Sequence, residues 1–89
     1  MPKIKVAILS GGKSSERDIA LQSAKNVLQK IKQRFDIKFF DFPKDIDTFY
    51  KTHKDFSVAI PIFHGPGGED GVIQSFLKTL DMPFIFSDV

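Results

Sequence analysis

Residues 3–24 read KIKVAILSGGKSSERDIALQSA, and they contain the fold in outline. The run 3–9 is short, apolar and rich in β-branched residues, and it ends at Gly11 and Gly12, which is the pattern of a buried strand. Ser15 followed three residues later by Asp18 resembles a capping box with Asp in place of Glu, so a helix opens there. Ala20, Ala24, Val27, Leu28 and Ile31 recur at helical spacing and form its inward stripe, which carries the helix to about Arg34. A strand, a glycine turn and an amphipathic helix in immediate succession are the first half of a βαβ unit.

The rest of the chain repeats the alternation. DIKFFDF (36–42) is a second strand closed by Pro43. Residues 45–53 form a short, weakly periodic helix on Ile46, Phe49 and Tyr50. SVAIPIF (57–63) is a third strand, in which Pro61 lacks a donor and predicts an irregular end. Asp70 caps a last helix with Val72, Ile73, Phe76, Leu77 and Leu80 inward, and Pro83 leads into FIF (84–86), a fourth strand. The order predicts an α/β domain with right-handed crossovers: a parallel four-stranded sheet of order 2-1-3-4 with flanking helices, Rossmann-like in architecture. With 89 residues, a single domain over 1–89 is expected. The chain stops just past the fourth strand, leaving Phe84, Ile85 and Phe86 on an uncovered edge. That edge predicts self-association, most simply as a homodimer.

Composition excludes several classes. Charged residues make up 27% and hydrophobic residues 42%, as in ordinary globular proteins, and the ten phenylalanines are mostly core. The net charge of +2 is spread among lysines interleaved with acids, without the one-sided cluster of a nucleic-acid binder. The absence of cysteine removes disulfides, thiolate metal sites and a thiol nucleophile. No apolar run is long enough for a membrane span or a signal-peptide core, so a cytoplasmic location is expected.

Two phosphate-binding patterns fail. A P-loop needs a glycine where Ala7 stands, inside the first strand, and the dinucleotide fingerprint over Gly65 and Gly67 meets Asp70 in place of its third glycine. Two other residues carry more. Glu16, in the first helical turn, either serves the helix dipole or, four residues before Ala20 and on the inward face, points along the sheet's edge. His64 ends the third strand ahead of the loop GPGGEDG (65–71); it either bonds that loop or faces a ligand. Strands one and three are neighbours in this topology and their loops diverge at the C-terminal edge, opening a crevice that Glu16 and His64 would line. A carboxylate suits an ammonium, and an imidazole with exposed backbone amides suits a carboxylate, so the pair fits a small zwitterion such as an amino acid. His53 lies in a lysine-rich stretch and is expected in solvent. Glu69 and Asp70 are read as capping and loop residues, with no metal site in the chain.

Two stretches together resemble the D-alanine–D-alanine ligases. GGKSSERDIALQSA (11–24) is similar to the family pattern G-G-x-S-x-E-x-x-[VI]-S-L-x-S-[GA]. HGPGGEDG (64–71) matches H-G-x-x-G-E-D-G in full, and MPFIFSDV (82–89) is similar to the ending [IL]-P-Y-T-G-S-G-V. The resemblance covers essentially the whole chain in order and spacing. It implies the amino-terminal, pre-ATP-grasp domain of a three-domain ATP-grasp ligase of peptidoglycan synthesis, with the ATP-grasp domains absent from this stretch. In that family ATP phosphorylates the carboxylate of one D-alanine, and the amine of a second attacks the acyl phosphate.

By the same resemblance Glu16 is the catalytic-site residue that holds the ammonium of the first D-alanine, with His64, Gly65 and Ile19 close to that substrate. ATP and Mg²⁺ are implied for the complete enzyme, whose lysines, acidic metal ligands and transition-state arginine belong to later domains. No cofactor is expected in this chain, and by itself it is expected to be inactive. The second substrate is left open among D-alanine, D-lactate and D-serine. Ala20 stands where the family has serine, and Phe86 and Asp88 stand where it has glycine. A different class of reading is a stand-alone, non-enzymatic α/β module that binds an amino acid or a protein.

Overall fold

The computed structural model describes residues 3–12, 17–63 and 71–85. Strand β1 (Lys5–Gly11) is buried along nearly its whole length, from Val6 onward, which is what a continuous apolar run in the middle of a sheet requires. Helix α1 (Arg17–Ile31) follows, then β2 (Asp36–Phe42), α2 (Ile46–Thr52) with a single 3₁₀ turn at His53–Asp55, β3 (Val58–Ile62) and α3 (Val72–Thr79). The sheet is parallel in the order β2-β1-β3. Leu9 lies opposite Phe40 in β2 and opposite Pro61 in β3.

Side-chain alternation in the strands sends two sets of residues to opposite faces. Ala7, Leu9, Phe40, Phe42 and Ala59 pack with Phe49 of α2 and with Ile73 and Leu77 of α3. Ile8 and Ile62 pack with Ala24 of α1, flanked by Val27, Leu28, Ile37 and Ile60. Helices thus cover both faces, the doubly wound arrangement the sequence predicts. Phe49 is fully buried and meets Phe40 edge-on at 5.2 Å and Phe42 at 5.8 Å. Truncating a phenylalanine in such a place costs about 3–5 kcal/mol.

Several expectations are corrected. The described residues form three strands, and the expected fourth is a single parallel bridge between Ala59 and Phe84. Two hydrogen bonds carry it: Ala59 N–H donates to the Pro83 carbonyl at 2.9 Å, and Ile85 N–H to the Ala59 carbonyl at 3.0 Å. The segment lies outside β3, the position given to strand four, while residues 86–89 are outside those described.

Pro61 sits within β3 and is buried. The same two bonds explain why it is tolerated. Ala59 directs its backbone polar groups away from β1, and Pro61, two residues on, shares that side, so the ladder to β1 needs no donor from it.

Helix α1 ends at Ile31, short of Arg34. Val72, expected inward, is 58% exposed, and of the three apolar residues assigned to α2 only Phe49 is buried. The N-cap position of α3 is Gly71, with φ 97°; Asp70, expected as the cap, and Ser15 of the first capping box lie outside the described residues. Of the phenylalanines, Phe40, Phe42 and Phe49 are buried and Phe56, Phe63, Phe76 and Phe84 pack against them, whereas Phe39 is partly open to solvent. No helix among the described residues is long and apolar enough to cross a membrane.

Candidate functional site

At the C-terminal edge of the sheet the ends of β1 and β3 lie side by side, since Ser10 pairs with Ile62. At this edge β1 ends in two glycines with positive φ, 111° at Gly11 and 99° at Gly12. Gly11 admits no side chain. A Cβ there would lie 2.5 Å from Asp41 Oδ1, 2.6 Å from the Phe42 carbonyl oxygen and 2.8 Å from Arg17 Nη1. The close approach of β2 and α1 to this backbone, together with its left-handed conformation, selects glycine.

The groups crowding Gly11 form one network. Arg17, the first residue of α1, donates from Nη2 to Asp41 Oδ2 at 2.6 Å, from Nη1 to the Gly12 carbonyl at 3.2 Å, and at a longer 3.5 Å to the Phe42 carbonyl. Gly12 N–H donates to the same Phe42 carbonyl at 2.8 Å. Asp41 N–H donates to Asp45 Oδ2 at 2.9 Å, and Asp45 N–H returns a bond of 2.6 Å to the Asp41 carbonyl. The end of β2, the turn after β1 and the start of α1 are thereby joined.

The charges follow the geometry. The hydrogen bond from Arg17 holds the Asp41 carboxyl below its ordinary value, with the Arg17 and Lys44 charges acting in the same direction against partial burial. The Arg17 guanidinium is raised in turn, first by its bond to Asp41. Two buried oxygens in the same cross-strand row, Ser10 Oγ and Asp41 Oδ1, have no partner among the described residues.

Of the residues the sequence singles out, Glu16, His64 and Gly65 lie outside the described residues. Their chain neighbours are placed: Arg17, directly after Glu16, opens α1, and Phe63, directly before His64, follows β3. Phe63 Cδ1 would meet a Cβ on Gly12 at 3.9 Å, an ordinary contact that sets the two loop beginnings against each other. Ile19 is in the first turn of α1 with its side chain 57% exposed. Ala20, where the resemblance expects serine, is fully buried.

His53, expected in solvent, is half-buried. Its Nδ1 lies 2.6 Å from the Tyr50 carbonyl, and its ring stacks on that of Tyr50 at 6.0 Å. Among the described residues no three His, Asp or Glu side chains come together as a metal site.

Sequence reasoning did not single out Arg17, Asp41 or Ser10. The available signal was Asp41, an acid set between Phe40 and Phe42 in a strand end; parallel pairing with β1 brings it level with Ser10.

Comparison with known proteins agrees with this architecture. The sequence model of the family described as D-ala D-ala ligase N-terminus matches residues 5–57, from β1 to the entrance of β3. The chain is 39% identical over 88 residues to a D-alanine–D-alanine ligase of Syntrophobacter fumaroxidans, covering 98% of this chain and 28% of that protein. It is 42% identical over 86 residues to the ligase of Nitrosococcus oceani, covering 96% of this chain and 27% of that one. Among solved structures, the D-alanine–D-alanine ligase of Bacillus anthracis complexed with ATP superposes with a TM-score of 0.77 at 26% identity, over 91% of this chain and 28% of its own. The chain thus spans little more than a quarter of the length of these relatives. With the doubly wound sheet, the glycine-ended β1 and a family match over more than half of its residues, the chain belongs to the D-alanine–D-alanine ligase N-terminus family.

Proposed function

We propose that this chain acts as the N-terminal, substrate-binding domain of a D-alanine–D-alanine ligase, contributing to the binding of the first D-alanine in ATP-dependent dipeptide formation for peptidoglycan. The observation that carries the reading is the family match over 5–57, which includes Glu16 and the whole β1-turn-α1 unit. In this reading the Glu16 carboxylate receives the substrate ammonium, a charge-assisted bond at the edge of the sheet. His64 and Gly65, past the end of β3, and Ile19, on the exposed side of the first turn of α1, complete the surroundings of that substrate.

ATP and Mg²⁺ are assigned to the ATP-grasp part of the complete enzyme, as the resemblance to the ligases implies. Phosphoryl transfer depends on charge neutralisation and positioning, and those groups supply it there. The complete enzyme works in the cytoplasm, as a homodimer.

The test is Glu16→Gln in a complete ligase carrying this domain. Losing one charge-assisted hydrogen bond lowers kcat/KM for D-alanine by about 2–3 kcal/mol in transition-state stabilisation. Unchanged turnover would overturn the assignment.

A further inference from the structure

We propose that the outer edge of β2 pairs antiparallel with the β2 edge of a second copy of this chain, in the register centred on Ile37, joining two sheets across a two-fold axis. The proposal rests on the homodimer reading above and names its surface; the role given to Glu16 does not enter it.

β2 is the outer strand of the sheet, and the bonds at its ends tell its two sides apart. Asp36 N–H donates to the Ile4 carbonyl and the Phe42 carbonyl accepts from Gly12 N–H, so the even-numbered residues turn their backbone groups toward β1. Ile37, Phe39 and Asp41 therefore turn theirs outward. At Asp41 both groups are taken: its N–H donates to Asp45 Oδ2, and its carbonyl accepts from Asp45 N–H. Ile37 and Phe39 have no such cover among the described residues, which leaves a short stretch of edge able to add a strand.

Side chains decide what pairs there. In a two-fold antiparallel pairing, one residue lies opposite its own copy. Centring on Asp36 or Lys38 sets like charges directly against each other, which is destabilising. Centring on Phe39 calls on the Asp41 backbone groups that Asp45 already holds.

The register centred on Ile37 meets neither obstacle. The two Ile37 residues exchange N–H···O bonds, and each Phe39 N–H meets the partner's Phe35 carbonyl. Asp36 falls opposite the partner's Lys38, and Lys38 opposite the partner's Asp36, at the closer, non-hydrogen-bonded positions. Both side chains are exposed, and neither makes an ion pair among the described residues. On the face toward α1, Phe39 meets the partner's Phe35, which continues the apolar groove that Phe39 lines with Leu21 and Leu28. The edge is thus complementary to itself in charge and in apolar pattern together.

The test is sedimentation of a complete ligase carrying this domain over a concentration series. Lys38→Asp and Asp36→Lys each set like charges at both cross-strand positions and should each weaken the dimer about tenfold. The two variants mixed restore every opposite pair, so they should form a heterodimer about as tight as the parent dimer. The double variant Asp36→Lys with Lys38→Asp should recover likewise. Recovery of this kind separates pairing from any effect on folding. Single variants as tight as the parent, or a loss that neither mixing nor the double variant restores, would overturn this surface and leave the homodimer standing. A parent ligase that stays monomeric at every concentration would overturn the homodimer reading, and this surface with it.

Discussion

Arg17 at the start of α1 and Asp41 near the end of β2 are bonded at 2.6 Å although 24 residues separate them in the chain. This contact joins the first crossover to the outer strand at the edge where the family's substrate site is expected. Its electrostatics give a direct test of whether the pair forms in solution.

Asp41 is held below its ordinary carboxyl value in the folded state, first by the hydrogen bond from Arg17. A group depressed in this way adds stability that is complete above its unfolded value, about 4, and is lost as pH falls through the lower folded value. Thermal melts of the parent and Asp41→Asn should therefore differ most near neutral pH and converge in acid. Parallel curves across the acid range would mean the pair is not formed. Arg17, raised further above its already high value, contributes no pH dependence in this window.

The glycines separate backbone strain from steric exclusion. Gly71 has φ 97° and, among the described residues, nothing within 4 Å of the place a Cβ would take, so Gly71→Ala meets the left-handed penalty of about 1–2 kcal/mol without a clash against those residues. Gly11→Ala carries that penalty and also meets Asp41, the Phe42 carbonyl and Arg17, an overpacking cost of about 1–3 kcal/mol more. Denaturant titration should rank Gly11→Ala clearly below Gly71→Ala, and equal stabilities would contradict the packing described around Gly11.

Apolar surface at both sides of the sheet predicts self-association. Leu21, Ala24, Lys25, Leu28, Phe39 and Asp41 line an open groove of about 440 Å³ between α1 and β2, and Ile85 beside β3 is 60% exposed. Patches of this kind favour association. Sedimentation of the chain over a concentration series should show a dimer forming, and a monomer persisting to hundreds of micromolar would contradict it.

The sequence was most legible where one periodicity dominates. β2 is read to the residue because Asp36 and Pro43 bound an unbroken run, and α1 is placed by Ala20 and Ala24, both buried. Pro61 misled because a strand pattern does not say which side a missing donor faces; that is decided by Ala59 bonding outward to the Pro83 and Ile85 backbone. Val72 misled because helical spacing does not tell which edge of an apolar stripe is covered.

In the candidate site, the residues that motifs announce, Glu16 and His64, were legible as residue types in a pattern. The Arg17–Asp41 pair was not, since it depends on the β1–β2 register that sets Ser10 level with Asp41. No local pattern contains that distance.

The measurement closest to the central claim is a crystal structure of a complete ligase carrying this domain with D-alanine bound. The account predicts the ammonium of the first D-alanine within about 3.5 Å of a Glu16 carboxylate oxygen, at the C-terminal edge between the ends of β1 and β3. An ammonium held by other groups, with Glu16 turned away from the substrate, would contradict it.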